Sequence, residues 1–329
     1  FKNTAALVAY QNTTHRLNWA IALERIPYIQ GGVLESGTAF ADTLQTLFFS
    51  EVNTEADFLV AYPFSEVQRV ELSAGLRNIS FNGQIITQVF SAAGEQDNTS
   101  DIPSCSSSPN TICAPGGVTM GTASAALVYD NSFFGATSPI LGQRWRLEVD
   151  PTVGGLQFYS ILADYRHYWM PARPFTLAAR VLHYGRYGRD AEDSTLMYPL
   201  FMGYQSLVRG YDYNSLDASE LNVYDELLGT RLLVGNVELR FPLLGVLGLG
   251  HGYYGAFPIE AAIFGDGGVA WDRGETPDIF GGKRQALTSA GAALRINVLG
   301  FAIAEIDYVK AFQRPGKGWQ WQFGLTPGF

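Results

Sequence analysis

The sequence predicts an all-β protein, a transmembrane antiparallel β-barrel, and three observations favour this fold class. Apolar and polar residues alternate with a period of two along most of the chain, which is typical of strands with two different faces. The alternating segments run to about ten to fourteen residues, long enough for a tilted strand to cross a bilayer. Short and long connections alternate between them, as they do in outer-membrane barrels.

The segment 143–153 shows the alternation most clearly. One face carries Trp145, Leu147, Val149 and Val153, and the other carries charges of both signs from Arg144 to Asp150. A soluble β-sandwich produces the same alternation and is a common fold. Its strands, however, average about five or six residues. The length of the segments therefore favours a barrel whose apolar face meets lipid and whose polar face lines the lumen.

We predict thirteen strands in this chain. In order, they span 2–11, 15–28, 44–63, 67–80, 118–132, 142–154, 156–170, 174–188, 230–241, 258–271, 286–298, 300–311 and 319–329. Segment 84–92 is either a separate strand or an extension of the fourth. Short connections on one side are expected to be periplasmic, and the long ones on the other side external: 29–43, 81–117, 189–229 and 272–285. The connection 154–155 is a short exception.

An odd strand count is unexpected, because bacterial single-chain barrels have even numbers of strands. Either the count is wrong by one, or strands preceding residue 1 belong to the intact protein. An unclosed edge in lipid would leave backbone groups unpaired, at a cost of several kcal/mol each. We therefore interpret residues 1–329 as the larger part of a barrel of about sixteen strands, of which the first three or so lie upstream.

Composition excludes several other classes of protein. Charged residues make up 16% of the chain and the net charge is −9, whereas nucleic-acid binding requires a basic surface. The charge-free run 241–259 contains prolines, glycines and His251, so it does not predict a transmembrane helix. No metal-ligand spacing connects the four histidines, and no nucleophile motif is present. We expect no catalytic activity, no metal and no cofactor.

Two cysteines, Cys105 and Cys113, lie in a loop rich in Ser, Pro, Asn and Gly. Two cysteines without a nearby histidine are too few ligands for a metal site. A disulfide in an oxidising compartment is the favoured interpretation, and two free thiols are the alternative.

Several motifs resemble those of one family. The segment "LVRGYD" (207–212) is similar to a loop motif of the outer-membrane assembly and surface-antigen superfamily that includes BamA and TamA. It is accompanied, in the order typical of that family, by "NVELRFPL", "FGDGGVAW", "GAALRINVLGFAIAEIDYVKAF" and a terminal strand ending in Phe329. These elements cover about the last 130 residues, and "YPFSEVQRVELSAG" (62–75) resembles an earlier turn.

The resemblance implies that the long loop 189–229 folds into the lumen, where Arg209 pairs with acidic residues on the strand walls. The alternation independently places Glu238 and Asp266 on the lumenal face. We therefore expect Arg209 to contact both carboxylates, with Gly210 allowing close backbone approach and Tyr211 packing on the wall. The alternative is an arginine exposed on a surface loop.

The terminal strand resembles the assembly signal of outer-membrane proteins through Gln322, Gly324 and Phe329. It departs from that pattern at Pro327, because proline cannot donate to a strand ladder. This departure suits either a weakly paired seam between the last and first strands or simple fraying at a chain end.

The resemblance implies a bacterial outer-membrane protein that assists insertion or translocation of other proteins. Expected partners are outer-membrane lipid and lipopolysaccharide, client outer-membrane proteins, and periplasmic or surface proteins, but not nucleic acid. One alternative is a structural barrel that anchors a surface assembly or a TolB-like propeller, as in relatives with segments similar to "YQNTTHRLNWAIALERIPY". A diffusive porin is a further alternative, which an inward-folded loop disfavours.

Overall fold

The computed structural model describes residues 4–37, 41–91, 94–105 and 113–327, and strands dominate them. The strands are β1 (Ala6–Asn12), β2 (Asn18–Gly37), β3 (Ala41–Pro63), β4 (Gln68–Ser91), β5 (Gly94–Asp101), β6 (Val118–Asp130), β7 (Phe133–Phe134), β8 (Pro139–Gly154), β9 (Phe158–Ala172), β10 (Phe175–Gly188), β11 (Leu200–Phe201), β12 (Leu228–Gly229), β13 (Arg231–Pro242), β14 (Ile259–Trp271), β15 (Leu287–Val298), β16 (Ala302–Ala311) and β17 (Gln320–Pro327). Two short α-helices are α1 (Leu221–Glu226) and α2 (Leu243–Val246).

Thirteen of these strands follow one another in a single strand order, β1-β2-β3-β4-β6-β8-β9-β10-β13-β14-β15-β16-β17. Sequential neighbours pair antiparallel, for example β1 with β2 and β13 with β14. The prediction of thirteen consecutive antiparallel strands is therefore confirmed. The expectation of further strands upstream of residue 1 stays a prediction, because the strand order concerns this chain alone.

The chain divides into two compact units. The first comprises Phe1–Tyr62, Glu71–Ala125 and Asp150–Phe158, and the second comprises Pro63–Val70, Ala126–Val149 and Tyr159–Phe329. Strands β1 and β2 lie wholly in the first unit, and β10 to β17 lie wholly in the second.

Three strands, β2, β3 and β4, are longer than the sequence indicates. β2 and β3 pair without interruption from Asn18 opposite Ala61 to Gly37 opposite Asp42, so most of the predicted connection 29–43 is a hairpin. Segment 84–92 proves to be largely an extension of β4, which pairs with β5. Hydropathy alternation stops at the edge of the apolar band, but backbone pairing needs no apolar face and continues beyond it.

The segment after β5 is fixed by backbone bonds and a disulfide. The amide of Cys105 donates to the carbonyl of Ala114 over 2.9 Å, and the amide of Ala114 donates to the carbonyl of Pro103 over 2.8 Å. Cys105 and Cys113 form a disulfide bond, as the composition of this loop predicts. The bond joins the two ends of the segment 106–112, which lies outside the described residues.

In the second unit, the two faces of the sheet differ as the alternation predicts. On β13, Glu238 is 6% exposed and Val234 is 1% exposed, whereas their neighbours Val237 and Leu239 are 52% and 38% exposed. Successive side chains of a strand point to opposite faces, so this contrast separates a covered polar face from an open apolar one. The core that covers the polar face is shared by strands and loop: Leu182, Met202, Val208, Tyr211, Leu227, Leu232, Val234, Ala270, Leu287 and Ala311.

Helices contribute little to the architecture. Among the described residues, no helix is long and apolar enough to cross a membrane.

Candidate functional site

The long connection between β10 and β13 folds back onto the polar face of the second unit. Its two ends are held together by the pairing of β11 with β12, and α1 precedes β12. At its tip, the amides of Leu207 and Val208 donate to the carbonyl of Tyr204 over 2.8 and 3.1 Å, which closes a tight turn. Val208 is fully buried, so the turn presents the next residue, Arg209, to the strands.

Arg209 lies in a buried position against two carboxylates. Its Nε and Nη2 atoms donate to Oδ2 and Oδ1 of Asp266 over 2.7 and 2.8 Å, and Nη2 also lies 2.8 Å from Oε1 of Glu238. The guanidinium carbon stands 3.5 Å from the ring centroid of Phe264. Burial alone lowers the pKa of Arg209, but the hydrogen bonds to Asp266 and the charge of Glu238 outweigh burial and raise that pKa above its ordinary value. The guanidinium is therefore charged at any physiological pH.

Strand register brings the two carboxylates together. Asp266 on β14 lies opposite Asn236 on β13, and Glu238 lies opposite Phe264. Both carboxylates consequently occupy the same face of neighbouring strands, and their positions are offset by two residues along the strands. The amide of Asn236 donates to Oδ1 of Asp266 and to the carbonyl of Leu207, over 2.8 and 2.7 Å, so it orients the carboxylate and holds the loop.

Glu238 is shared by three arginines, which extends the ion network beyond the predicted pair. Besides Arg209, it accepts from Nε of Arg240 over 2.7 Å and from both Nη atoms of Arg295 over 2.9 Å each. Arg295 also reaches Glu305 over 2.8 Å and Glu260 over 3.4 Å. A buried charge without a partner of opposite sign is destabilising, and each of the arginines that bind Glu238 has a carboxylate partner here.

Gly210 and Tyr211 fix the loop beside this network. Gly210 has a φ of 91°, and a Cβ atom there would lie 3.2 Å from side-chain atoms of Ala311 and Val309, so only glycine fits without strain. The hydroxyl of Tyr211 donates to the carbonyl of Thr288 over 2.9 Å, and the ring is fully buried. Burial raises the pKa of Tyr211 to about 12, so the hydroxyl remains a donor.

A second arginine holds the loop from the opposite direction. Arg314, in the connection between β16 and β17, is fully buried. It donates to the carbonyl of Gly210 over 2.8 Å, to the hydroxyl of Ser215 over 2.9 Å, and to both carboxylate oxygens of Glu220 over 2.8 Å each. No pattern in the sequence marks this arginine, because an arginine before a proline in "QRPGKG" resembles an exposed turn residue.

The last strand is also part of this site. The side-chain oxygen of Gln322 accepts from the amide of Gly210 over 2.8 Å. A Cβ atom on Gly324 would lie 2.3 Å from the amide oxygen of Gln205, so the glycine leaves room for the loop. Gln205 in turn donates to Asp307 over 2.6 Å. Phe329, the third residue of the predicted assembly signal, lies outside the described residues.

The chemistry of the site is that of an anchored loop rather than a reaction centre. Arg209, Arg295 and Arg314 are each paired with carboxylates through bidentate or shared hydrogen bonds, which give strength and a defined geometry. In the described ranges, no group of three or more His, Cys, Asp or Glu side chains is arranged to hold a metal ion.

Comparisons with known proteins agree with this architecture. A family model described as the Omp85 superfamily domain matches residues 122–329. No curated protein sequence matches the chain. Among solved structures, the crystal structure of BamA from Haemophilus ducreyi lacking POTRA domains 1–3 superposes with a TM-score of 0.54 at 14% identity, covering 99% of this chain and 70% of that one. This likeness shows the fold, that of an antiparallel transmembrane β-barrel.

Replacing Arg209 with alanine is expected to lower the free energy of unfolding by about 3–5 kcal/mol, because Asp266 would stay buried without its bidentate cation and Glu238 would keep only Arg240 and Arg295. Arg209→Lys should lose part of this amount, since an ammonium group cannot form the bidentate contact. Heat-modifiable gel migration across a denaturant series measures the change. The control is Arg189→Ala in the same loop, whose side chain is 71% exposed; a loss no larger than in this control would contradict the prediction.

The contact between Arg314 and Glu220 should make loop anchoring dependent on pH. Hydrogen bonds from Arg314 lower the pKa of Glu220 to about 2, whereas a glutamate in an unfolded chain titrates near about 4.3. The stabilising contribution is therefore complete above about 4.3 and is lost as the pH falls towards about 2.

The measurement is the difference in Tm between the wild type and Glu220→Gln, taken at several pH values between 2 and 6. We expect this difference to be largest near pH 6 and to vanish near pH 2, because the protonated glutamate and glutamine are then equivalent. Asp225→Asn is the control, since the Asp225 side chain is 77% exposed. A difference that is constant across the whole range would refute the assignment.

Proposed function

The chain belongs to the Omp85 superfamily, and from that premise we propose that it assists the insertion or translocation of proteins at the bacterial outer membrane. Barrels of this family reside in the outer membrane. The observation that carries the proposal is the loop between β10 and β13, which is anchored on the polar face and is hydrogen-bonded to the last strand.

The loop contacts the strands on both sides of its tip. Arg180 on β10 donates to the carbonyl of Ser206 over 2.8 Å, Arg209 binds Asp266 on β14, and Gly210 binds Gln322 on β17. A diffusive pore requires a water-filled passage along its polar face. A loop with buried arginines at its tip occupies that face, which disfavours the porin alternative.

The contacts between the loop and β17 are compatible with a change of the strand that pairs with the edge of β17. Gln322 and Gly324 meet the loop through the face of the strand, whereas pairing with a neighbouring strand uses backbone groups at its edge. The loop can thus retain β17 while its free edge pairs with a client strand. In this proposal the lumenal loop 189–229 keeps β17, the last strand, in position at the seam between the last and first strands.

The proposal is tested with proteoliposomes that contain the purified protein. A urea-unfolded client β-barrel is added, and its folding is followed by heat-modifiable migration. We expect faster folding than in liposomes containing an unrelated porin, and about five-fold less acceleration with Gln322→Ala, which removes one hydrogen bond of about 1 kcal/mol. Gln143→Ala on β8 is the control, since this partly exposed glutamine also loses one hydrogen bond, from the Tyr165 hydroxyl, that does not involve the loop. An absence of acceleration by the wild type would favour the structural-anchor alternative.

The membrane orientation is tested separately. Both natural cysteines are in the disulfide, so an introduced cysteine is the only free thiol. On intact cells, an impermeant maleimide should label Ser194→Cys in the long connection. It should label Ser65→Cys, in the short turn between β3 and β4, only after the outer membrane is permeabilised. The reverse pattern would refute the orientation without bearing on insertion activity.

A further inference from the structure

A row of polar side chains crosses the open apolar face of the first unit. Arg25 on β2 lies opposite Thr54 on β3, and its Nη1 atom donates to the Thr54 hydroxyl over 3.3 Å. On the next two strands of the order, Asn78 donates to the hydroxyl of Thr119 over 2.8 Å. Within the described part of the chain, the side-chain partner of Arg25 is the Thr54 hydroxyl, and no carboxylate lies within ion-pair distance of its guanidinium.

A groove lies beside this row, on the side of the apolar band. It has a volume of about 420 Å³. Its apolar lining includes Ala6, Val8, Leu23, Ala56 and Leu76, and the charged residues of the lining are Arg25, Glu24, Glu55 and Arg77. Glu55 is paired with Arg77 over 2.7 Å. The two leucines are 53% and 64% exposed, and the small Ala56 lies opposite Leu23 in the register. The small Ala56 beside these larger side chains leaves an open slot in the apolar surface.

The row lies at one boundary of the lipid-facing band. Arg25 is eight residues along from Leu17, the residue before β2, where the apolar alternation begins. Eight residues rise about 26 Å along a strand, or about 20 Å across the membrane at the usual tilt. The apolar band of such barrels is about 25 Å tall. Arg25 therefore lies near the boundary opposite the short turns, on the side of the long connections.

We propose that Arg25 and this groove bind a lipopolysaccharide molecule of the external leaflet, with a lipid A phosphate on the guanidinium and an acyl chain in the groove. A lone guanidinium on a lipid-facing surface is destabilising unless an anion meets it, and the planar group suits a phosphate. The position at the external boundary selects lipid A over glycerophospholipids, which occupy the periplasmic leaflet. The inference depends on the proposed orientation, not on insertion activity.

The charge at the row is tested with purified protein in detergent micelles, by native mass spectrometry of bound lipid. Lipid A carrying both phosphates is titrated against the wild type and Arg25→Gln, for which we expect roughly ten-fold weaker binding. Arg25→Lys should restore part of the loss. The control is Arg16→Gln, which removes one positive charge at the short-turn end of β2 and should bind as the wild type does.

The groove is tested by filling it. Ala56→Leu should weaken lipid A binding without changing the charge, because the longer side chain occupies the space of the acyl chain. Ala74→Leu is the matched control, since Ala74 lies on the same open face of β4 but outside the groove. Equal binding by the two leucine variants would overturn the acyl-chain part of the proposal.

Two further outcomes would overturn the phosphate part. Lipid A without phosphates should bind the wild type and Arg25→Gln equally; an equal loss with this lipid would mean that Arg25 acts through packing. Arg25→Gln should weaken the binding of phosphatidylglycerol less than it weakens the binding of lipid A. An equal ten-fold loss of phosphatidylglycerol binding would assign the site to phospholipids rather than to lipopolysaccharide.

Discussion

The buried guanidinium of Arg209 is the interaction on which the second unit depends. A single loop side chain bridges carboxylates on two neighbouring strands, Asp266 on β14 and Glu238 on β13. Burial makes every one of these charges costly alone, so the arrangement is stable only when the loop is in place. The polar face of the sheet is consequently incomplete without the loop, and the loop has no stable position without the polar face.

The rest of the site follows from this mutual requirement. Arg209 extends from the loop to the strands, and Arg314 extends from the strand connection back to the loop, where it binds Glu220 and the carbonyl of Gly210. Gly210 stands between them in a conformation that brings its backbone close to β16 and donates to Gln322 on β17. One loop thereby connects the ion network to the last strand, which is the physical basis for the proposed role in handling client strands.

The two faces of the sheet use charge in different ways. On the polar face of the second unit, Arg240 and Arg295 are both paired with the buried carboxylate of Glu238. On the open face of the first unit, Arg25 donates to a neutral hydroxyl, so the membrane supplies the anion in our proposal. An arginine thus has a carboxylate of the same chain as its partner where it is buried on the polar face. Where it borders an apolar groove, we propose that its partner is a lipid.

The sequence by itself determined the strand number and the face of each strand, because a period of two sets which side chains share a face. The motif loop was indicated by the resemblance of "LVRGYD" to a family motif. The same period puts Glu238 and Asp266 together on the polar face. Only the tertiary structure decided that Asn236 lies opposite Asp266, that Arg314 is buried, and that β2, β3 and β4 continue past the apolar band. Register and loop paths depend on long-range pairing, whereas alternation is a local property, and the residues that local patterns missed are those held by distant partners.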